Sequence, residues 1–250
     1  MMETSRILVL CAAGFGGAAL NAVAGGGSFL TLPALLWAGV PAVAANATGT
    51  AALLPGYLAS AWGQRADLGA PRALGMGALL AACLVGGVAG AALLLHTGNA
   101  AFRAIVPWLL LFATALFAFG PALLRALGRH PHHVAGRGHA LAGVLLVSAY
   151  GGYFNGGLGV LLLALLGLLG EVDLNRMNAL KNLISAVLTV FAVVLYAAGG
   201  TVHWELAALM LPSVLLGGWT GAHVGRRLPR GVLRWMIVAI GLVMSAMFMR

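Results

Sequence analysis

Apolar runs follow one another along almost the whole chain, and nothing else in it constrains the fold as strongly. They fall at about residues 6–22, 28–38, 42–62, 72–95 and 102–124, then at 140–155, 157–170, 174–197, 204–225 and 232–249. Of the 250 residues, 62% are hydrophobic and 8% charged, where a soluble domain carries about 25% charged residues. Such a chain cannot cover a water-facing surface, so a soluble globule and a disordered chain are both excluded. Hydrocarbon is the solvent that tolerates it. Outer-membrane strands alternate apolar and polar residues, whereas these runs are unbroken. The expected fold is an all-α integral membrane protein of about ten helical segments. Arg6 with its apolar run resembles a signal peptide, but the segment has a counterpart in mid-chain and is read as the first helix.

The chain repeats itself. Gly86-Gly87-Val-Ala-Gly90-Ala91 returns 131 positions later as Gly217-Gly218-Trp-Thr-Gly221-Ala222. Arg103 returns as Arg234, Asn46 as Asn178 and Thr50 as Asn182. Gly16-Gly17 with Asn21 resembles Gly151-Gly152 with Asn155, and Gly25, Gly26 and Gly27 resemble Gly156, Gly157 and Gly159. Only the polar stretch Arg125–His139 is long enough to join two halves. The expected organisation is a first transmembrane repeat at 1–128, a basic His-rich linker at 129–138 and a second repeat at 139–250.

The second segment of each half is short for a crossing. At about 1.5 Å per residue, 28–38 reaches roughly 17 Å, against roughly 30 Å of hydrocarbon. Glycines precede the short segment in both halves, the pattern that best points to a transporter binding site. Counting the short segments as crossings gives five per half, and an odd number inverts one half relative to the other. Arginine placement agrees. With loops 63–72, 125–139, 170–176 and 225–234 on one side, that side holds Arg65, Arg72, Arg125, Arg129, Arg137, Arg176, Arg226, Arg227, Arg230 and Arg234. Arg6, Arg103 and Arg250 remain on the other. The positive-inside rule then puts both termini outside, with two inverted repeats and short half-helices after Gly-rich breaks. A short segment that re-enters rather than spans would change this parity.

Lys181 is the one cation well inside an apolar run. A charge near a helix centre costs at least about 2.5 kcal/mol, so its retention points to a purpose. Asn178 and Asn182 lie four apart beside it, with Ser185 close by. This face reads as an anion site, with Lys181 as a point charge and the amides orienting oxygens. Alternatively Lys181 snorkels to the headgroups while the asparagines tie helices together. The first-half counterpart supplies Asn46, Thr48 and Thr50 without a charge, either at a site or in helix packing. Its Asn-Ala-Thr sequon lies too deep for glycosylation. The glycine stretches Asn21–Ser28 and Asn155–Gly159 allow backbone to approach a ligand, and the half-helix after each would aim N–H groups and a positive dipole end at an anion. Close helix packing is the alternative use of these glycines.

Other features exclude functions. The five carboxylates, Glu3, Asp67, Glu171, Asp173 and Glu205, lie at termini, loops or segment ends, so no acid buried within an apolar run is expected for ion coupling. No His-Glu-x-x-His, intramembrane aspartate pair or Ser/His/Asp set appears, and no enzyme or cofactor is expected. His130, His132, His133 and His139 sit in the linker without Cys or carboxylate, so no metal site is expected. Cys11 and Cys83 lie inside apolar runs and support no disulfide framework. The formal charge of +9 is concentrated in loops, as topology signals are, and no nucleic-acid partner is expected. Trp37, Trp62, Trp108, Trp204 and Trp235 lie near segment ends, as an interfacial belt would place them. Pro55-Gly56 is expected to kink its helix.

Asn21-Ala-Val-Ala-Gly-Gly-Gly-Ser-Phe-Leu-Thr-Leu-Pro-Ala-Leu-Leu, then Gly39-Val-Pro and Ala45-Asn-Ala-Thr, resembles the sulfite exporter TauE/SafE family. Arg176-Met-Asn-Ala-Leu-Lys-Asn182 and Gly217-Gly218-x-x-Gly221-Ala222 resemble the matching second-half motifs. The resemblance covers nearly the whole chain. It implies a multi-pass permease of the bacterial inner membrane, with sulfite or organosulfonates as cargo. It carries binding roles onto Gly25–Ser28, Asn46–Thr50, Asn178, Lys181 and Asn182. The second glycine motif, Asn155-Gly-Gly-Leu-Gly, departs from the first. The partners expected are a small anion and the lipid bilayer, with homo-oligomerisation left open. A passive anion channel and a noncatalytic membrane scaffold are the competing readings.

Overall fold

Inside a bilayer every backbone polar group must find a partner within the chain, and helices achieve this segment by segment. The computed structural model describes residues 3–71, 73–128, 136–224 and 230–249. Arg72, Arg129, His130, His132, His133, Arg226, Arg227 and Arg250 lie outside them. Among the described residues all regular structure is helical. The first five helices are α1 (Thr4–Ala24), α2 (Ser28–Trp37), α3 (Ala42–Gly63), α4 (Met76–His96) and α5 (Asn99–Gly128). After them come α6 (Arg137–Tyr153), α7 (Leu158–Leu168), α8 (Leu174–Ala198), α9 (Trp204–Val224) and α10 (Arg230–Phe248).

Each helix coincides with one apolar run. Four of them, α1, α4, α5 and α8, are long and apolar enough to cross a membrane. By contrast α2 and α7 have 10 and 11 residues, about 15 Å and 17 Å of rise, and stop partway. Despite Pro55, α3 runs as one continuous helix. Trp37, Trp62, Trp108, Trp204 and Trp235 are all exposed, as anchors facing lipid or headgroups would be.

Contacts between loops define two ends. At one end the Arg6 guanidinium donates to the Ala38 carbonyl, and Asn99 Oδ1 accepts from the Val43 N–H at 3.0 Å. At the other the Arg176 guanidinium donates to the Ala70 carbonyl at 3.3 Å. The start of α8 is held there by Asp173, whose carboxylate accepts from the Asn175 N–H at 2.9 Å, an N-cap that satisfies an orphan donor of the first turn.

Two helices are exchanged between the halves: α4 lies along α6, and α9 along α1. Glycines explain both seams. A methyl group on Gly90 would run into the Ala149 carbonyl of α6, and one on Gly86 would stand 2.8 Å from Ser148 Cβ. On α9, a methyl on Gly217 would run into the Phe15 carbonyl, and one on Gly221 would stand 2.6 Å from Ala19 Cα. The Gly-x-x-x-Gly motif that repeats along the sequence is therefore a pair of backbone-to-backbone contacts. In lipid, where apolar burial drives no helix association, close approach of small residues supplies the dispersion energy instead.

Two apolar cores result. One is built from α4, α6, α7 and α8, with Leu79, Cys83, Val144, Leu162, Leu180 and Ile184. The other joins α1, α2, α3, α5 and α9, with Leu10, Phe29, Leu32, Leu53, Phe102 and Met210. Between them α3 packs against α8, while α5 pairs with α10.

Candidate functional site

The glycine breaks lie partway along the helix axes and touch each other. Gly17 is 11 residues beyond Arg6, roughly 16 Å along α1 and about half the hydrocarbon thickness, and a methyl on it would stand 2.9 Å from the Gly27 carbonyl. α1 ends at Gly25, which is left-handed at φ 77°. In the second half Gly157 caps the start of α7 at φ 72°, and Asn155, not a glycine, is left-handed at φ 64°. The two left-handed glycines are 132 positions apart, the offset of the repeat. A Cβ on Gly25 would stand 2.6 Å from Gly159 Cα, so the breaks meet backbone to backbone. Gly26, Gly27, Ser28, Gly156 and Gly157 are buried around this junction. The first turns of α2 and α7 begin here with the positive ends of their dipoles. The Phe29, Leu30, Leu158 and Val160 N–H groups bond to carbonyls of the breaks, which leaves those of Ser28 and Gly159 without a backbone partner among the described residues.

Tyr57 of α3 reaches into the junction. Its hydroxyl bonds to Asn155 Oδ1 at 3.2 Å and also interacts with the Asn21 side chain. Asn21 Oδ1 and Asn155 Nδ2 are buried without a hydrogen-bond partner among the described residues. Each such atom carries a desolvation penalty of about 1–3 kcal/mol, so the junction holds an acceptor and a donor that a polar guest would satisfy. A crevice of about 10 Å³, close to the least space a water needs, leads to Asn21 past Leu53, Gly56, Ser60 and Gly218.

The α8 residues form a second group. Lys181 is 4% exposed and makes no ion pair or hydrogen bond among the described residues. Ser185 and Thr189 continue its stripe at four-residue spacing and are buried, with Thr189 Oγ1 unpaired. Asn182 Nδ2 donates to Gln64 Oε1 at 3.0 Å. Asn178 donates instead to the Leu174 carbonyl of its own helix at 2.9 Å. α3 joins the two groups. Tyr57 and Gln64 are seven residues apart on one face, so the junction and the Lys181 region are separated by roughly 10 Å along α3.

The remaining first-half candidates lie toward the opposite end of α3. Asn46 Nδ2 donates to the Tyr153 carbonyl at 3.0 Å, and Thr48 Oγ1 accepts from the His203 N–H at 3.0 Å. Thr50 is buried one turn further in. Asn46 and Thr48 thus tie α3 to α6 and to the loop before α9. Of the residues singled out from the sequence, the fold brings Asn21, Asn155 and the two glycine stretches together. It sets Lys181 and Asn182 about two turns away, and commits Asn46, Thr48 and Asn178 to internal bonds. Sequence reasoning missed Tyr57 and Gln64. Their signal was a polar pair at seven-residue spacing in a helix that already held Asn46 and Thr50.

A model of the family described as sulfite exporter TauE/SafE matches residues 10–248. A probable membrane transporter protein of Haemophilus influenzae is 26% identical over 245 residues, covering 96% of this chain and 93% of that protein. A protein described as probable membrane transporter protein YfcA, of Escherichia coli K12, is 28% identical over 228 residues, covering 91% and 83% respectively. No solved structure matches the chain.

Proposed function

Because the chain belongs to the sulfite exporter TauE/SafE family of membrane transporters, we propose that it is an inner-membrane permease for a small sulfur-containing anion such as sulfite or an organosulfonate. The observation that carries this reading is the junction of the two glycine breaks, with unpaired atoms of Asn21 and Asn155 beside two helix starts. Anion oxygens would accept from Asn155 Nδ2 and from the Ser28 and Gly159 N–H groups at the starts of α2 and α7. An acidic hydroxyl on a protonated guest, such as bisulfite, would donate to Asn21 Oδ1. Lys181, buried and unpaired, draws the anion along the face of α3 that carries Tyr57, Ser60 and Gln64.

Two inverted repeats account for the packing: α1 lies on α9 as α6 lies on α4, and α5 and α10 pair with each other. The exchange decides what can move. Rocking one sequence half against the other, the motion the repeat alone suggests, would break the glycine seams at Gly86, Gly90, Gly217 and Gly221. The moving bodies are instead α1, α2, α3 and α9 against α4, α6, α7 and α8, hinged at the α3–α8 contact where the site lies. The crevice at Asn21 is far too small for an anion, which fits a carrier closed between openings.

The test is counterflow of labelled sulfite and sulfoacetate in proteoliposomes, with Lys181→Ala in parallel. Saturable uptake by the unaltered protein, lost in the variant, is the expected result. Normal uptake by Lys181→Ala would remove Lys181 from the path. Conductance far above carrier turnover would identify a channel. Absence both of uptake and of stabilisation by either anion would leave helix packing as the sole role of these polar residues.

A further inference from the structure

On one flank of the molecule, α2 does not close against α10 as its counterpart α7 closes against α5. The gap is a groove of about 1040 Å³. Ala13, Phe29, Leu30, Ala34 and Met244 line its walls. It follows α2 from Trp37, at the end that holds Arg6 and Asn99, to Phe29 beside the glycine break. Ten residues of helix make this about 15 Å, the depth of one leaflet's hydrocarbon.

One end of the groove is charged. Arg103, in the second turn of α5, lines it and is exposed. No carboxylate pairs with it among the described residues, and none lines the groove. Arg6 stands at the same end, its guanidinium engaged by the Ala38 carbonyl. Trp37, 58% exposed, marks the level of the headgroups. An apolar trough one leaflet deep, headed by an unpaired guanidinium at the interface, has the charge and shape of one molecule. We propose that this groove is a binding site for an anionic phospholipid, with an acyl chain along α2 and the phosphate on Arg103. A guanidinium holds phosphate by paired N–H donors. A zwitterionic lipid could fill the same trough, but its ammonium would lie against Arg103.

The lipid's position gives it a role. Its chain would fill the space between α2 and α10, beside one of the two short helices that start at the junction, and so hold α2 in place.

The experiment is lipid titration of the purified full chain, read by native mass spectrometry. Phosphatidylglycerol and phosphatidylcholine with identical acyl chains are the probes. About fivefold tighter binding of phosphatidylglycerol is expected from one basic contact. Arg103→Gln should bring the two lipids to parity and Arg103→Lys should keep most of the preference. Ala34→Trp, which fills the trough, should weaken both. Arg103 is exposed, so its replacement does not threaten folding. Equal binding of the two lipids by the unaltered protein would overturn the proposal, as would a preference that survives Arg103→Gln. A dimer that excludes lipid from Arg103 would overturn it too, and would give the groove to a second copy of the chain.

Discussion

Replacing Gly25 by alanine tests whether the two breaks touch. Two effects act there. The left-handed backbone, φ 77°, costs an L-residue about 1–2 kcal/mol. The added methyl would also stand 2.6 Å from Gly159 Cα and 3.0 Å from Gly159 N, which are backbone atoms that cannot turn aside. Overpacking of this kind costs about 1–3 kcal/mol. The sum, about 2–5 kcal/mol, is separable with two further variants. Gly200→Ala has the left-handed backbone, φ 64°, but nothing within 4 Å, so it should lose only about 1–2 kcal/mol. Gly77→Ala, inside α4 with nothing within 4 Å, should gain up to about 1 kcal/mol in helix propensity. Thermal unfolding in detergent should therefore rank the midpoints Gly77→Ala, Gly200→Ala, Gly25→Ala from highest to lowest, and counterflow should fail in the last alone. A Gly25→Ala protein as stable as Gly200→Ala would refute the contact between the breaks.

Three further outcomes follow from the packing. Gly90→Ala and Gly221→Ala place methyl groups into the backbones of α6 and α1 respectively; each should destabilise by about 1–3 kcal/mol, and a variant that loses nothing in thermal unfolding would count against its seam. Lys181→Met removes an unpaired buried charge, so it should raise stability by up to about 2.5 kcal/mol while abolishing uptake; a stability loss in the same melt would mean that Lys181 is paired. Tyr57→Phe removes the bond to Asn155 and should cost about 0.6–1.7 kcal/mol, the range for polar contacts between membrane helices. It should also alter the KM for the transported anion, and an unchanged KM would place Tyr57 outside the path.

The helices were legible because each apolar run is bounded by glycine, proline or charge, and the half-helices because Gly25–Gly27 and Gly156–Gly159 interrupt the runs before their length is reached. At Pro55 the helix α3 continues, so the proline does not end it. The faces of the helices were not legible. A helix that is apolar all round has no amphipathic phase to say which side meets protein and which meets lipid. Nothing local could therefore join Tyr57 to Asn155, 98 positions away, or assign Asn182 to Gln64. The Gly86–Gly90 motif was visible as a repeat, but not as a seam that exchanges α4 and α9 between the halves. The same ambiguity hid the uses of Asn46 and Thr48, because a polar side chain in a membrane helix serves equally as a ligand group or as a tie.

That exchange also sets an order of assembly. Synthesis delivers α1 long before α9, and α4 before α6. When residues 1–128 have entered the bilayer, the Phe15–Ala19 face of α1 and the Gly86–Gly90 face of α4 still lack their partners. The first half is therefore an unfinished surface in the membrane, and α1 completes its packing only when α9 arrives. Chains cut short before α9 should be recognised as orphans and degraded. Separate production of the two halves should succeed only when both are present together, because each carries the helix that the other is missing.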